Sequence, residues 1–285
     1  MPPIDTLSLD EIIHYRAKQA LFPQLLDKYY LHSPIAGMQP KISFSHSAKA
    51  SLSHTSLETR DYIVKSFDPI FPLLSVNEFV CMQAAQACGL EPPKHYLSEN
   101  LGTYVVERFD RTNEGLKLGF EDFNTLMKKP NIPSEKYSSS YENVLKATYL
   151  YTGCFSEVEK MYKQIVFSCL IGNRDAHLKN FGLLYSSDMQ NIVIAPPYDI
   201  THTLIYKNTD SKIALKLAGT KAFPTLSQLI KLAESNLFRI RNPKDIIESF
   251  AEHILHYIHH LNEIQLFKGL RESIENAVSN VMTSK

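Results

Sequence analysis

Asp175, Asn180 and Asp199 are the residues of this chain whose types and spacing could do chemistry. The first two lie five positions apart in Asn173-Arg174-Asp175-Ala176-His177-Leu178-Lys179-Asn180, and Pro197-Tyr198-Asp199 follows, with Asp199 nineteen residues after Asn180. A carboxylate that takes a hydroxyl proton, an amide oxygen that holds magnesium, and a second carboxylate that holds magnesium against phosphates are the parts of a phosphoryl-transfer site. The spacing has a physical reason. The base must lie within hydrogen-bond reach of the attacking hydroxyl, while the metal ligands converge on the other side of the transferring group. Asp, His and Asn are also common turn formers, so the match acquires meaning only with the elements around it.

Those elements are legible on both sides. Ser156 and Glu159 have capping-box spacing, and Val158, Met161, Tyr162, Ile165, Val166, Cys169 and Leu170 recur at helical spacing. A buried helix therefore delivers the loop. After it, Phe181 to Tyr185 and Ile192 to Ala195 read as short strands around the polar turn Ser186 to Asn191. That hairpin carries the chain to Asp199.

A second cluster lies upstream. Tyr62-Ile63-Val64-Lys65 is a β-prone run ending in a lysine that suits ATP phosphates, although on its own Lys65 reads as a solvated strand end. Ile35-Ala36-Gly37-Met38-Gln39-Pro40-Lys41 precedes a strand-like Ile42-Ser43-Phe44 and is a candidate phosphate loop, with a single glycine to free its backbone. Thr103 to Val106 reads as a buried strand running into Glu107-Arg108-Phe109-Asp110-Arg111, where a hinge would meet adenine; the other reading is a charged surface turn. A helix from Ser75 to Cys88 carries Glu78, which either pairs with Lys65 or faces solvent in the first turn.

Taken in order, AGMQPK, YIVKSF, VNEFVCMQAAQACGLEPP, VVERFDR, IGNRDAHLKNF and PPYDI resemble the core of the HipA-like serine/threonine kinases, the toxin halves of bacterial toxin–antitoxin systems, over about residues 33 to 202. The resemblance implies an α+β, two-lobed protein-kinase-like fold with a small β-rich N-lobe, residues 1–109, and a larger helical C-lobe, residues 110–285. It implies Asp175 as catalytic base, Asn180 and Asp199 as magnesium ligands, and Lys65 as the lysine on the ATP phosphates. Ala36, Gly37, Met38, Gln39, Pro40 and Lys41 match the phosphate loop, and Glu107, Arg108 and Phe109 match the adenine hinge. His177, Lys179 and Tyr198 belong to the same nucleotide-binding motifs. ATP and Mg2+ are the implied cofactors.

The same resemblance implies inactivating autophosphorylation on a serine beside the phosphate loop. Pro34 stands where a hydroxyl is expected, so Ser33 is the first candidate, with Ser43 and Ser45 behind it. A phosphate there would bring nearly two negative charges against the ATP phosphates. Only about thirty residues precede the loop, which resembles the short HipT branch. In that branch a small HipS protein supplies the N-terminal domain, beside the DNA-binding HipB. The implied substrate is an aminoacyl-tRNA synthetase, with the short branch pointing to the tryptophanyl enzyme. The sequence leaves two other readings open: a small-molecule kinase with the same Asp…Asn…Asp geometry, or an inactive scaffold within a toxin–antitoxin complex.

Composition bounds the remainder. With 285 residues and 44% hydrophobic content the chain can bury a large core. Thirty basic residues balance thirty acidic ones, which argues against direct nonspecific nucleic-acid binding. Cys81, Cys88, Cys154 and Cys169 lack paired zinc spacing, and the first, second and fourth sit in apolar surroundings as buried thiols. No apolar run reaches the ~20 residues of a membrane span and no signal-peptide pattern opens the chain, so a cytoplasmic protein is expected.

Ser8 with Glu11 predicts a capping box opening an amphipathic helix to about Lys28. Strands dominate from Ile35 to Phe109, apart from the helix over 75–88 and a polar link over 45–56. Residues 110–140 read as a long polar connection with one short helix over Phe120 to Met127. Leu226 to Glu234, Asp245 to Ile264 and Leu270 to Met282 have helical spacing, with Pro224 and Pro243 before helix starts. His253, His256, His259 and His260 share one helix and read as exposed rather than metal-binding.

Overall fold

A computed structural model describes residues 8–16, 41–48, 58–66, 70–112, 115–206, 212–234, 238 and 240–284; for 44–48, 58 and 59 it describes the backbone. The chain divides into two compact units, Met1–Phe79 with Pro93–Lys117, and Val80–Pro92 with Leu118–Lys285.

In the first unit α1 spans Leu9–Ile13. Its capping box forms as expected: Ser8 Oγ accepts from the Glu11 N–H at 3.2 Å, and the Glu11 carboxylate accepts from the Ser8 N–H at 2.7 Å. The helix is shorter than expected. The Ile13 carbonyl, which a continuing helix would offer to residue 17, instead accepts from the Glu99 N–H at 2.8 Å, and Arg16 pairs with the Glu99 carboxylate. Residues 17–28 of the expected helix lie outside the described residues.

Strands β1 (Lys41–Ala48), β2 (Glu58–Ser66), β3 (His95–Leu97) and β4 (Thr103–Glu107) form an antiparallel sheet in the order β1-β2-β4-β3. Strands β1 and β2 run beyond their apolar centres, so 45–48 belong to a strand and not to a polar link. Ile42 lies opposite Val64 and Val64 opposite Val105, and the three bury one face with Ile12. The period of two then turns Lys65 and Tyr104 to the other face. Helix α2 spans Leu74–Ala87, of which residues to Phe79 belong to this unit.

In the second unit the connection over 110–140 holds more structure than its polarity suggests. Gly119–Asp122 is a strand, β5, paired antiparallel with β6 (Gly182–Tyr185), which pairs with β7 (Ile192–Ile194). The expected hairpin is thus two strands of a sheet ordered β5-β6-β7, and the short helix α3 covers only Phe123–Leu126. Two glycines permit this pairing. A Cβ on Gly119 would fall 2.0 Å from the Tyr185 ring, and one on Gly182 would fall 2.5 Å from the Phe120 ring.

Helix α4 (Tyr141–Thr152) is capped by Ser140 and ended by Gly153 at φ 64°. Helix α5 (Phe155–Leu170) buries Val158, Met161, Tyr162, Ile165, Val166, Cys169 and Leu170, each no more than 1% exposed. Its start departs from expectation. The N-cap is Cys154, without a side-chain cap, while Glu159 pairs with Lys163 one turn on, so Ser156 and Glu159 form no capping box.

Helices α6 (Leu226–Glu234), α7 (Pro243–His260) and α8 (Leu270–Thr283) complete the unit. Pro243 is the first helical residue and not the one before it. The helix stops at His260, four residues short of expectation, because Leu261 is extended. The four α7 histidines are exposed; His256 and His260 stack at 4.4 Å and His259 meets Glu275 at 3.1 Å. All four cysteines are free: Cys81 and Cys169 are buried, Cys88 is half-buried and Cys154 exposed. Among the described residues no helix is long and apolar enough to cross a membrane.

Candidate functional site

The loop that follows α5 turns at Gly172, φ 76°, and its geometry is fixed by its own polar groups. Asn173, 2% exposed, accepts from the Asp175 N–H at 3.0 Å, and the Asp175 carbonyl accepts from the His177 N–H at 2.8 Å. Asn180 Oδ1 accepts from the same His177 N–H at 3.1 Å. The Asp175 carboxylate projects outward with a side-chain exposure of 55%, and its Oδ1 accepts from the Tyr137 hydroxyl at 2.8 Å. Asp175, His177 and Asn180 are therefore brought together as expected.

His177 holds the loop from inside. His177 is 6% exposed, Nε2 lies 3.9 Å from Asp175 Oδ2, and Nδ1 is buried with no hydrogen-bond partner among the described residues. Burial lowers its pKa to about 4, with the Asp175 charge opposing the shift in part, so the imidazole is neutral. Lys179 points its ammonium to Asn131 Oδ1 at 2.7 Å.

The segment around Asp199 is stitched to this loop. The Tyr198 hydroxyl donates to the Lys179 carbonyl at 2.9 Å, and the Tyr198 ring meets Phe120 of β5 edge-on at 5.9 Å. Asp199 itself sits at φ 57°, a left-handed conformation costly for a residue with a Cβ and typical of sites where the surroundings dictate the backbone. Two residues absent from the sequence expectation complete the clamp. Thr203 Oγ1 accepts from the Arg174 N–H at 2.8 Å, and the Thr203 carbonyl accepts from the Arg174 guanidinium at 2.8 Å. His202, 0% exposed, donates from Nδ1 to the Ile171 carbonyl at 2.6 Å, which leaves Nε2 to accept from the Ser273 hydroxyl at 2.6 Å.

Two predictions follow from this clamp. Burial lowers the His202 pKa to about 4. The unfolded chain takes up that proton near pH 6.5 and the folded one does not. The stability it contributes is therefore full above pH 6.5 and is lost as pH falls toward about 4, a change on the order of 3 kcal/mol. Melting temperature against pH should fall through this window, and fall less in His202→Gln. Gly172→Ala should destabilise by roughly 2–4 kcal/mol. It forces a Cβ into the left-handed region and places it 2.8 Å from both His202 Nδ1 and Leu204 Cδ1. Urea denaturation would measure this.

In the first unit Lys65 and Glu78 form an ion pair, 5% and 2% exposed, with the Lys65 ammonium 5.6 Å from the Tyr104 ring centroid. Of the two readings of Glu78, the buried pair is the one observed. Lys41 lies directly opposite Lys65 across the strand pair, so the two cations project from one face of the sheet, an arrangement that a bound anion would favour. At the end of β4 the Glu107 N–H donates to the Lys94 carbonyl and the Arg108 N–H to the Asp61 carbonyl, both at 2.8 Å. These two amides are thus engaged by backbone carbonyls and are not free to meet a ligand. Arg108 also pairs with Asp110 and donates to Ser43 Oγ at 3.3 Å, while Arg111 pairs with Asp61. The turn is a half-buried ion network around Phe109, not a solvated loop. Ala36 to Pro40, Ser33 and the Ser45 side chain lie outside the described residues.

A family model described as the HipA-like C-terminal domain matches residues 33–258, most of the chain. The chain belongs to this family. Among curated relatives, two Sinorhizobium fredii proteins are named "Putative kinase Y4dM", 28% identical over 70% of this chain and 52% of its own length, and "Putative kinase Y4mE", 29% identical over 76% and 54%. The chain spans about half the length of these relatives. Solved structures share the fold. HipA of the Shewanella oneidensis toxin–antitoxin system, determined with HipB and operator DNA, superposes with a TM-score of 0.66 at 18% identity, covering 96% of this chain and 67% of that one. The Helicobacter pylori proinflammatory kinase CtkA superposes with 0.52 at 16% identity, covering 78% and 86%. The α+β fold of HipA and CtkA, with small antiparallel sheets and a larger helical part, is therefore that of this chain.

Proposed function

We propose that this HipA-like chain is an ATP- and Mg2+-dependent serine/threonine protein kinase of toxin type. The observation that carries the reading is the clamped loop pair, in which Asp175 presents a carboxylate already bonded to a hydroxyl while Asn180 and Asp199 lie on the joined segments. Asp175 serves as base for the acceptor hydroxyl. Asn180 and Asp199 offer an amide oxygen and a carboxylate, the hard oxygen donors that magnesium takes. Magnesium, when bound there, would neutralise charge on the phosphates.

Lys65, held by Glu78, and Lys41 opposite it supply the phosphate contacts of ATP, with Ala36, Gly37, Met38, Gln39 and Pro40 as the phosphate loop. Catalysis then rests on positioning and charge neutralisation more than on covalent chemistry. Glu107, Arg108 and Phe109 would line the adenine end, and His177 and Tyr198 hold the loops rather than touch nucleotide.

The substrate proposed is a serine of an aminoacyl-tRNA synthetase, the tryptophanyl enzyme first, so that charging and growth fall. Autophosphorylation of Ser33 would inactivate the kinase, with Ser45 next. Ser43 is the weakest of the three because its hydroxyl already accepts from Arg108. A HipB-like antitoxin and a small HipS-like protein are the proposed partners, in the cytoplasm. The test is a panel of purified aminoacyl-tRNA synthetases incubated with the chain, ATP and magnesium, followed by phosphopeptide mapping. Phosphoserine on one synthetase is expected; transfer to none of them would reject the substrate assignment.

A further inference from the structure

Residues 137–143 and the turn over 216–219 enclose an open groove of about 530 Å³, and Tyr137 at its end donates its hydroxyl to Asp175 Oδ1 at 2.8 Å. The groove therefore opens beside the carboxylate proposed as base, whose side chain is 55% exposed and within reach of a macromolecule. Its two walls are joined through the backbone. The Lys216 N–H donates to the Ser139 carbonyl at 3.1 Å, the Tyr141 N–H donates to the Lys216 carbonyl at 3.0 Å, and the Glu142 carboxylate accepts from the Ala218 N–H at 2.8 Å. Leu217 and Thr220 exchange two backbone hydrogen bonds around Ala218 and Gly219, at φ 50° and 82°, which makes this a tight two-residue turn.

The lining sets what fits. Small-molecule pockets are walled mainly by apolar and aromatic side chains. This groove has one ring, Tyr137, and is otherwise lined by serines, Glu142, Asn143, Lys216 and Gly219, all half-buried or exposed. An open polar trough suits an extended polypeptide, whose backbone needs donors and acceptors along its length. The charge left over is positive. Glu142 is engaged by Ala218, and Glu135 beside the groove accepts from the Ser138 hydroxyl at 2.7 Å. Lys216 is exposed and makes no ion pair among the described residues, while the Lys136 and Lys221 ammonium groups stand 4.9 and 5.7 Å from the Tyr137 ring centroid.

We propose that this groove seats the acceptor polypeptide in extended form, and that Lys216 selects an acidic residue close to the serine that is phosphorylated. The proposal deepens the kinase reading above and rests on it. The serine hydroxyl reaches Asp175 at the Tyr137 end of the groove. Its oxygen takes the γ-phosphoryl group of ATP, its proton passes to Asp175, and ADP leaves. A neighbouring carboxylate on the same segment meets an ammonium whose backbone is already fixed on both sides.

Two serine peptides of equal length test this, one with glutamates flanking the serine and one with lysines, each incubated with the chain, ATP and magnesium. The wild type should show a KM about fivefold lower for the glutamate peptide, the upper range for one exposed ion pair, and the gap should shrink as salt is raised. Lys216→Glu should reverse the preference, which general damage to the fold cannot do, and Lys216→Met should abolish it. Gly219→Asn puts a residue tolerant of left-handed backbone where a Cβ meets nothing within 4 Å, so it should fold and raise KM for both peptides by narrowing the groove. Equal KM values in the wild type, a preference that survives Lys216→Glu, or ATP turnover with transfer to neither peptide overturns the proposal. No ATP turnover of any kind would instead remove the kinase reading, and the role of the groove with it.

Discussion

Asp175→Asn is expected to lower phosphoryl transfer by about 10²–10⁴-fold, the range a general base contributes, while leaving the fold intact. The expectation of an intact fold comes from the hydrogen bonds around it. The contacts that shape the loop use the Asp175 backbone, whose N–H donates to Asn173 and whose carbonyl accepts from His177. The side chain contributes an acceptor to Tyr137, and an asparagine oxygen supplies the same. Thermal melting should therefore stay close to the wild type while phosphate incorporation nearly vanishes. Full-rate transfer by Asp175→Asn would place the base elsewhere.

Glu78→Ala is expected to cost about 3–5 kcal/mol of stability, since it leaves the Lys65 ammonium buried without its carboxylate. The pair itself need not be a net stabiliser, because its desolvation offsets much of its attraction. The double variant Lys65→Met with Glu78→Leu should accordingly recover most of the loss. It should not recover nucleotide binding, because the cation proposed to meet the phosphates is gone. Urea denaturation of both variants, with ATP titration of the double variant, separates the two roles. A double variant that binds ATP as the wild type does would remove Lys65 from the phosphate site.

The parts of this molecule legible in sequence are those written in local pattern. The seven apolar positions of α5 recur at helical spacing and all are buried, so the helix that delivers the Asp175 loop could be read directly. The Lys65–Glu78 pair was readable as one of two options, and burial decides between them. What escaped was set by distant partners. The Ile13 carbonyl is taken by Glu99, which ends α1 where its own sequence would continue. Strand β5 is polar and short, and it exists because Gly119 and Gly182 let aromatic rings cross a neighbouring strand. The N-terminus of α5 offered a plausible capping box at Ser156, and the chain starts the helix two residues earlier, with Cys154 as N-cap and Phe155 as the first helical residue.

In the candidate site, the loop that joins Asp175, His177 and Asn180 was legible because its motif is local. His202 and Thr203 lie only three and four residues beyond Asp199, but nothing in their spacing signals that they grip Ile171 and Arg174. Tyr137 gave no signal at all. It stands in a Lys-, Ser- and Pro-rich stretch without periodicity, and its link to Asp175 spans 38 residues.

The most direct test of the account is the intact mass of the purified chain after incubation with ATP and magnesium, beside Asp175→Asn, followed by peptide mapping. The account predicts that the wild type gains the mass of phosphate on a serine near Gly37 and that Asp175→Asn gains none. No phosphate on the wild type, together with no ATP binding, would contradict it.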